Sequence, residues 1–350
     1  MLAEEIAQAE DVAGLAGLRE RAENLVTQQV AGVIPVRRVA AMIAGINDAL
    51  VARLIVLAQR ALEVGGLGKP PSGFCWLSLG SDGRREQLVR TDQDSALVYE
   101  DPREPEREQT AAYYNRLGSE VTAGLASCGF ARCPGNNMAG NPEWCQPLAT
   151  WREYFRSWIR APKEESLLKA ATFFDFRPVH GIFALADALR ECITAELAFD
   201  RTALILLAKN AVHNPPATGL WGRLNLEKKG VHRELFDLKL RAMKPVTESV
   251  RVLALDGGIH ALTGTLERLE TLAEVDKSIA GIRAAVVEAY ELFMKYRVLY
   301  GTVGEDAGRY LDIGRMGKQE TRRLRSLFGS VSSLIELVQV RYQLDALGLR

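Results

Sequence analysis

The chain has 350 residues, 47% of them hydrophobic and 25% charged, which are ordinary values for a globular protein of about two domains. Its 44 basic and 44 acidic residues cancel, so no global field draws it to nucleic acid or to an anionic membrane. The acidic N-terminus predicts no signal peptide, and we expect no membrane span because no run of about 18 uncharged apolar residues occurs. The five cysteines lack zinc-ligand spacing and favour reduced thiols in a cytoplasmic protein.

Helices are predicted at both ends of the chain. Residues 1–64 repeat apolar side chains at three- and four-residue spacing, with one break at 32–35. Four glycines and two prolines at 65–73 then predict a linker. From about residue 182 onward the same periodicity returns. Helices are predicted there at 182–197, 201–213, 246–256, 259–273, 278–299 and 318–347.

The middle of the chain has short apolar runs separated by polar and glycine-rich segments, and this pattern predicts a small sheet. The run FCWLSLG reads as a buried strand that ends in glycine, and DQDSALVYE begins polar and becomes a second strand. Between them, SDGRREQLVRT predicts a polar turn or short helix. A helix is expected at about 106–127, and a strand with a long loop at 129–144. The run ATFFDFRPVHG is the third strand candidate.

Tryptophans recur every seven residues around the helix predicted in PLATWREYFRSWIRAP. They are Trp144, Trp151 and Trp158, and this spacing predicts a packed helix face more than a platform for stacking bases. Together the elements predict an α+β fold in three parts. These are an N-terminal helical arm (1–68), a small mixed-sheet domain (69–183) and a C-terminal all-helical domain (184–350).

Two carboxylates, Asp92 and Asp94, stand one residue apart at the start of the second strand. Residues i and i+2 of a strand point to the same face, so these side chains repel each other unless a cation lies near them. Ligands that offer only oxygen favour Mg²⁺ or Mn²⁺. A solvated hairpin tip is the alternative interpretation, and it is the commoner one for an isolated Asp-x-Asp.

The turn before the aspartates suits a phosphate. Gly80 lets the backbone approach a ligand closely, and the amides that follow, with the Ser81 hydroxyl, can donate to phosphate oxygens. Arg84, Arg85 and Arg90 lie in the same stretch and could bind phosphate. The order strand, Gly-Ser, spacer, Asp-x-Asp, strand is much more specific than Asp-x-Asp alone.

This order resembles the nucleotidyltransferase superfamily of DNA polymerase β type. It is more similar to the N-terminal domain of PII-protein uridylyltransferases. It is most similar to a bacterial group of nucleotidyltransferases of unassigned substrate, often attached to CBS and cyclic-nucleotide-binding domains. The pieces that carry the likeness are INDAL, GSDGRREQ, TDQDSALVY, FFDFRPVHG, FDLKLRAMKPV and TLERL. FDLKLRAMKPV is the looser match, since Ala242-Met243 stands where a glycine is common.

The resemblance implies a two-metal site. Asp92 and Asp94 would bind Mg²⁺ or Mn²⁺, and Asp175 would be the third carboxylate, on a central strand, where it would help to deprotonate an acceptor hydroxyl. From the residues alone, Asp175 could instead be an acid that is salt-bridged to Arg177.

The resemblance also implies the contacts to nucleotide. Gly80 and Ser81 would hold the triphosphate, and Arg84 and Arg177 could contact phosphate. The expected partners are an NTP and an acceptor, either a protein or a small molecule. We expect no membrane partner, nucleic acid is disfavoured, and a homodimer could form through the helical regions.

Two functions stay open at this point. The first is a nucleotidyltransferase that moves NMP from an NTP to a hydroxyl and releases pyrophosphate. The second is a regulatory module that binds nucleotide without turnover. The presence of all three carboxylates favours the enzyme. No His-Asp pair appears, so no HD-type phosphohydrolase is expected in this chain.

Overall fold

A computed structural model of the chain describes residues 2–30, 34–88, 92–163, 167, 170–215, 217–219, 223–301 and 307–348. The contacts divide the chain into two compact units. The first comprises Met1–Trp158 and Ala170–Glu196, and the second comprises Ile159–Lys169 and Leu197–Arg350. The structure is 64% helical with a small mixed sheet, which confirms the predicted α+β class. The three-part division of the chain stays a prediction.

The N-terminal helices belong to the first unit. They are Leu2–Gln8 (α1), Val12–Val30 (α2) and Val36–Val64 (α3). Pro35 precedes α3, where its fixed φ of −56° suits helix entry, and Gly65 ends it by donating its N–H to the carbonyl of Ala61 at 2.9 Å. The helices predicted within residues 1–64 therefore form, and residues 31–33 lie outside the described residues.

By length and composition alone α3 could cross a membrane, although Asp48 and Arg53 interrupt its apolar run, as the sequence led us to expect. Half of its most apolar window is buried, however, which is also the pattern of a core helix. Leu50 and Leu54 of this helix join the core cluster with Trp76, Leu97 and Val121 of the same unit. Burying a leucine stabilises a fold by roughly 1.5–3 kcal/mol, so this face of α3 has a core role.

Four strands form the main sheet of the first unit. Phe74–Ser78 (β1), Ser95–Tyr99 (β3), Cys145–Pro147 (β5) and Arg177–Gly181 (β6) take the order β5-β3-β1-β6. β1 is antiparallel to both neighbours, whereas β3 and β5 are parallel, so the sheet is mixed as predicted. Ser78 at the end of β1 pairs with the first residue of each neighbouring strand. The turn after β1 therefore lies beside the segments that lead into β3 and β6.

A second, two-stranded ladder lies beside the turn. Asp92–Gln93 (β2) pairs in parallel with Ala131–Arg132 (β4). The short helix Gly80–Gly83 (α4) follows β1, in the stretch where a polar turn or short helix was predicted. The two longer helices expected in this region are also confirmed, as Arg107–Ser127 (α5) and Leu148–Arg160 (α6). Residues 89–91, which include Arg90, lie outside the described residues.

The third predicted strand needs a correction. Asp175 closes a 3-10 helix, Phe173–Asp175, and the strand begins only at Arg177. β6 is also an edge strand of its sheet, so the expectation of a carboxylate on a central strand is wrong. The reason is local packing, because the carbonyl of Asp175 lies directly against Gly83 and the chain turns there before it can pair with β1.

The predicted tryptophan face is packed. The ring centroids of Trp144 and Trp158 lie 6.5 Å apart, and that of Phe173 lies 4.3 Å from Trp144. Trp151 is 1% exposed, and its indole N–H donates to the carbonyl of Leu97 at 3.1 Å. The rings therefore fill the core of the first unit. Trp144 itself lies in a 3-10 turn, outside α6.

The second unit is largely helical. The helix Ala184–Phe199 (α7) begins in the first unit and ends in the second. The helices that follow it are Thr202–Val212 (α8), Lys244–Asp256 (α9), Thr265–Val275 (α10), Lys277–Gly301 (α11), Lys318–Ser326 (α12) and Phe328–Arg341 (α13). The helix predicted at 318–347 is thus two helices, and the one predicted from 259 begins at Thr265.

The all-helical expectation for this region misses one ladder. Phe236–Asp237 (β7) pairs with Tyr310–Leu311 (β8). Asp237 is 1% exposed, and the Arg309 guanidinium donates to its Oδ2 at 2.7 Å. A buried carboxylate needs such a partner, and this one holds the two short strands together.

Candidate functional site

The turn after β1 is built on Gly80. Its φ of +55° is a conformation that favours glycine, and a Cβ here would lie 3.0 Å from Thr172 Cγ2 and 3.3 Å from an Asp94 carboxylate oxygen. The backbone N–H of Gly80 donates to the carbonyl of Thr172 at 3.3 Å, and that of Leu79 to the carbonyl of Asp94 at 3.0 Å. The missing side chain therefore lets the Asp94 carboxylate approach the turn closely.

The predicted carboxylate pair is brought together, and a thiol joins it. Ligand atoms of Asp92, Asp94 and Cys133 all lie within 4.8 Å of one another, and all three residues are half-buried. The pairing of β2 with β4 sets Asp92 opposite Ala131 and Gln93 opposite Arg132, which carries Cys133 to the position of Asp94. Sequence reasoning missed Cys133, because no spacing rule joins two strands so far apart in the chain.

The environment of Cys133 keeps its thiol protonated at neutral pH. Burial, together with the charge and hydrogen bond of Asp94, raises the pKa of Cys133 to about 11. A protonated thiol is a weak ligand, so the two carboxylates are the main donors for a hard cation.

These residues fit a divalent cation. Two carboxylates converge at half-buried positions, which is the hard donor set that Mg²⁺ prefers, and the Gly80 cradle leaves room beside one of them. Asp175 does not belong to this group in the described part of the chain.

Asp175 is instead held by an arginine. Its side chain is fully buried, and Arg84 Nη1 donates to Asp175 Oδ2 at 2.8 Å. The same guanidinium donates through Nε to Glu86 at 2.8 Å. The half-buried Arg84 therefore pairs with the buried Asp175, while their assignments as phosphate contact and third metal ligand stay predictions. The alternative partner considered from the sequence, Arg177, bonds elsewhere.

Arg177 is tied to the third N-terminal helix. Its two terminal nitrogens donate to the two carboxylate oxygens of Asp48 at 2.9 and 2.8 Å, and one of them reaches the carbonyl of Asp82 at 3.3 Å. A bidentate pair of this kind fixes the plane of the guanidinium. A contact of Arg177 with phosphate stays a prediction. Asp48 belongs to INDAL, so the resemblance carried a signal for it that spacing alone did not.

A further acid, Asp82, belongs to α4, the short helix that forms the turn. Its side chain accepts a hydrogen bond from Ser78 Oγ at 2.5 Å. Complete burial raises the pKa of Asp82, although the Ser78 hydrogen bond and Arg177 act in the opposite direction. Asp82 and Asp94 line a cavity of about 20 Å³.

Three polar atoms that belong to residues lining this cavity have no hydrogen-bond partner among the described residues: Trp76 Nε1, Asp82 Oδ1 and Gln93 Oε1. The interior next to Asp94 is therefore polar. Ser81, the remaining predicted nucleotide contact, is half-buried in α4, and its carbonyl accepts the N–H of Glu86 at 2.8 Å.

The fold and this site define a nucleotidyltransferase-like domain followed by a helical region. Two family models match the chain in that order. "Putative nucleotidyltransferase DUF294" matches residues 20–165, and "Putative nucleotidyltransferase substrate binding domain" matches residues 201–342.

The chain belongs to this nucleotidyltransferase family, which confirms the resemblance to the bacterial group of unassigned substrate. The likeness to PII-protein uridylyltransferases is not confirmed by either match. A search of curated proteins found no significant match. The two family models support nucleotidyl transfer in general terms and specify neither the nucleotide, nor the acceptor, nor a metal.

Proposed function

We propose that the protein transfers NMP from an NTP to a hydroxyl acceptor in a reaction that depends on Mg²⁺ or Mn²⁺ and releases pyrophosphate. The observation that carries this proposal is the convergence of Asp92 and Asp94 beside the Gly80 turn. Two like charges at this distance disfavour each other, and a bound cation relieves the repulsion. Mg²⁺ typically takes one or two carboxylates and completes its shell with water and phosphate oxygens.

Each residue then has a proposed task. Asp92 and Asp94 would hold the ion, while Gly80 and Ser81 would receive the triphosphate. Bound Mg²⁺ would offset negative charge on the triphosphate and on the leaving pyrophosphate. Asp175 would be the third carboxylate and would accept the proton of the acceptor hydroxyl, which requires that Arg84 first release its Oδ2.

The acceptor is proposed to be a hydroxyl on a protein, as in uridylylation of PII, or on a small molecule. The nucleotide is best identified by trial with each NTP. A cytoplasmic location and a homodimer through the helical regions are part of the same proposal and rest on the sequence alone.

A second candidate is a module that binds nucleotide without turnover and acts in regulation. The observation in its favour is the pairing of Arg84 with the fully buried Asp175 side chain, which leaves two carboxylates in the convergent group of the described residues. Under this alternative the arginine permanently occupies the place of a second ion.

One experiment separates the two. The full chain is incubated with each α-³²P-labelled NTP, Mg²⁺ and a cell lysate, and both labelled acceptor and pyrophosphate are measured. We expect one nucleotide to label an acceptor and to release pyrophosphate. The Asp92→Ala/Asp94→Ala variant should do neither. Heat stabilisation by nucleotide with Mg²⁺ in the absence of any label or pyrophosphate would favour the silent module.

A further inference from the structure

The carboxylate pair has a sulfur neighbour whose chemistry differs from that of the oxygens. Cys133 Sγ lies within 4.8 Å of a carboxylate oxygen of Asp92 and of Asp94, and all three side chains reach solvent in part. Mg²⁺ and Mn²⁺ are hard ions that bind oxygen, whereas Zn²⁺ and Cd²⁺ are thiophilic and bind a thiolate strongly. The site therefore offers different donor sets to hard and to soft ions.

The geometry suits a three-ligand zinc-type centre. Zn–S bonds of about 2.3 Å and Zn–O bonds of about 2.0–2.2 Å put neighbouring ligand atoms roughly 3.5 Å apart around a tetrahedral ion. Ligand atoms within 4.8 Å can reach that spacing by small side-chain rotations. Three protein ligands leave the fourth position open to water or to a substrate oxygen.

Gln93 places a buried polar atom close to one of the three ligands. Gln93, between the two aspartates, is 4% exposed, and its Oε1 has no hydrogen-bond partner in the ranges that the structure describes. Gln93 and Asp94 line the same small cavity, so a buried acceptor stands next to a ligand side chain.

We propose that Asp92, Asp94 and Cys133 bind a thiophilic divalent cation, Zn²⁺ or Cd²⁺, and that this ion excludes Mg²⁺ from the same carboxylates. The Cys133 S–H bond breaks as the metal–sulfur bond forms, and the proton passes to solvent, so no oxidant or reductant is needed. The binding step stands on geometry alone. The exclusion of Mg²⁺ rests on the proposed function, because it assumes that Mg²⁺ uses Asp92 and Asp94.

The first test uses Cd²⁺ and the full chain without nucleotide. A Cd–thiolate bond gives an ultraviolet charge-transfer band, so CdCl₂ titration of the wild type should produce this band and saturate at one ion for each chain. Cys133→Ser should abolish the band. Asp94→Asn should weaken Cd²⁺ binding by about tenfold or more, since even the loss of an outer-sphere partner costs that much.

Cys192→Ser is the matched control. Cys192 is also a half-buried cysteine of the first unit that forms no disulfide, but it does not belong to the cluster. Its replacement should leave the band unchanged. A band that survives in Cys133→Ser and disappears in Cys192→Ser would overturn the assignment, as would a wild type that gives no band. Melting temperature is measured for each variant, and Asp92→Asn serves as a second ligand variant if Asp94→Asn fails to fold.

The second test addresses competition. Increasing Mg²⁺ should move the midpoint of the Cd²⁺ titration to higher concentration in the wild type, and Zn²⁺ should inhibit nucleotide transfer by the wild type more strongly than by Cys133→Ser. A midpoint that Mg²⁺ does not move would overturn the shared site. An intact Cd²⁺ band in a chain that transfers no NMP would contradict the proposed function alone, whereas transfer without any band would overturn this inference alone.

Discussion

The carboxylates of the first unit have opposite surroundings in two regions of the molecule. Around Asp92 and Asp94, carboxylate oxygens converge on each other and on a thiol within 4.8 Å. Behind the turn, Asp175 and Asp48 each face an arginine at 2.8 Å. In the second region the protein supplies its own cations, so those acids hold secondary structure elements together. In the first region converging acids favour a cation from solution.

This contrast shows that the identity of an acid does not decide its task. Asp94 and Asp175 both come from segments that resemble metal-binding motifs, yet only Asp94 lies in the convergent group of the described structure. If Asp175 exchanged Arg84 for a metal ion, the contrast between the two regions would no longer hold. Substitutions in either region test this contrast, and the largest effect is expected at the converging acids.

Replacing both converging acids should remove activity without unfolding the chain. For Asp92→Ala/Asp94→Ala we expect NMP transfer to fall by at least about a hundredfold, because a bound metal contributes several kcal/mol to the transition state. The melting temperature without metal should stay the same or rise, since a repulsion is lost. Transfer of labelled NMP measures the loss of activity, and thermal unfolding measures the melting temperature. A large drop in melting temperature would mean that these acids are structural.

Replacing an arginine of the other region should act on stability. Arg177→Ala leaves Asp48 without its bidentate partner, and breaking a mostly buried pair costs about 3 kcal/mol. For a unit of this size that lowers the melting temperature by about 6–12 °C. Thermal unfolding followed by circular dichroism measures it.

The control for this variant is an exposed pair. Arg116 and Glu120 form an ion pair one helical turn apart on the surface of α5. Arg116→Ala should change stability by less than about 0.5 kcal/mol. Equal losses in Arg177→Ala and Arg116→Ala would remove the distinction between a bracing arginine and a surface one.

The close contact between the turn and Asp175 predicts a third effect. A Cβ on Gly83 would lie 1.8 Å from the Asp175 carbonyl oxygen, so Gly83→Ala must displace backbone and should destabilise the protein by about 1–3 kcal/mol. Gly17→Ala is the matched control, because it lies in α2 with nothing within 4 Å of the added Cβ. It should stabilise by about 0.5–1 kcal/mol. Denaturant unfolding of both variants gives the comparison, and a tolerated Gly83→Ala would contradict the packing described.

The smallest effect concerns pH and Asp82. Burial raises the pKa of this carboxyl from 3.8 and the charge of Asp48 adds to the rise, so the folded chain favours its protonated form although Arg177 and Arg85 act in the opposite direction. Its contribution to stability is full below pH 3.8 and is lost as pH rises through the folded pKa. Asp82→Asn cannot ionise. The melting temperature of the wild type minus that of Asp82→Asn should therefore fall as pH rises from about 4 to about 7. A difference that grows with pH would show a pKa lowered by its neighbours.

Local pattern was enough for most elements of the fold. β1 and β3 are short apolar runs bounded by glycine or polar residues, and α3 and α5 carry apolar residues at helical spacing, so each was predicted close to its observed limits. Those signals depend on neighbours in the chain. The pairing of β2 with β4 does not, and that pairing brings Cys133 to the aspartates.

The same limit explains the arginines. The sequence showed a turn crowded with positive charge and predicted that Arg84 and Arg177 could reach phosphate. Their observed partners, Asp175 and Asp48, lie 91 and 129 positions away in the chain, and no periodicity reports a contact at that range. Asp175 itself was predicted on a strand, because FFDFRPV has strand composition throughout. In the structure it ends a 3-10 helix whose last carbonyl packs against Gly83, a contact that local composition does not report.

The ion pair between Asp48 and Arg177 also bears on how the protein is made. Its two members are separated by 129 positions, so α3 leaves the ribosome well before β6. At synthesis rates of about 5–20 residues per second, Asp48 waits roughly 6 to 26 seconds for its partner. During that interval the apolar face of α3 has neither the finished sheet nor this brace. The first unit is therefore expected to complete its folding late, when the edge strand emerges and binds to a helix made near the start of the chain.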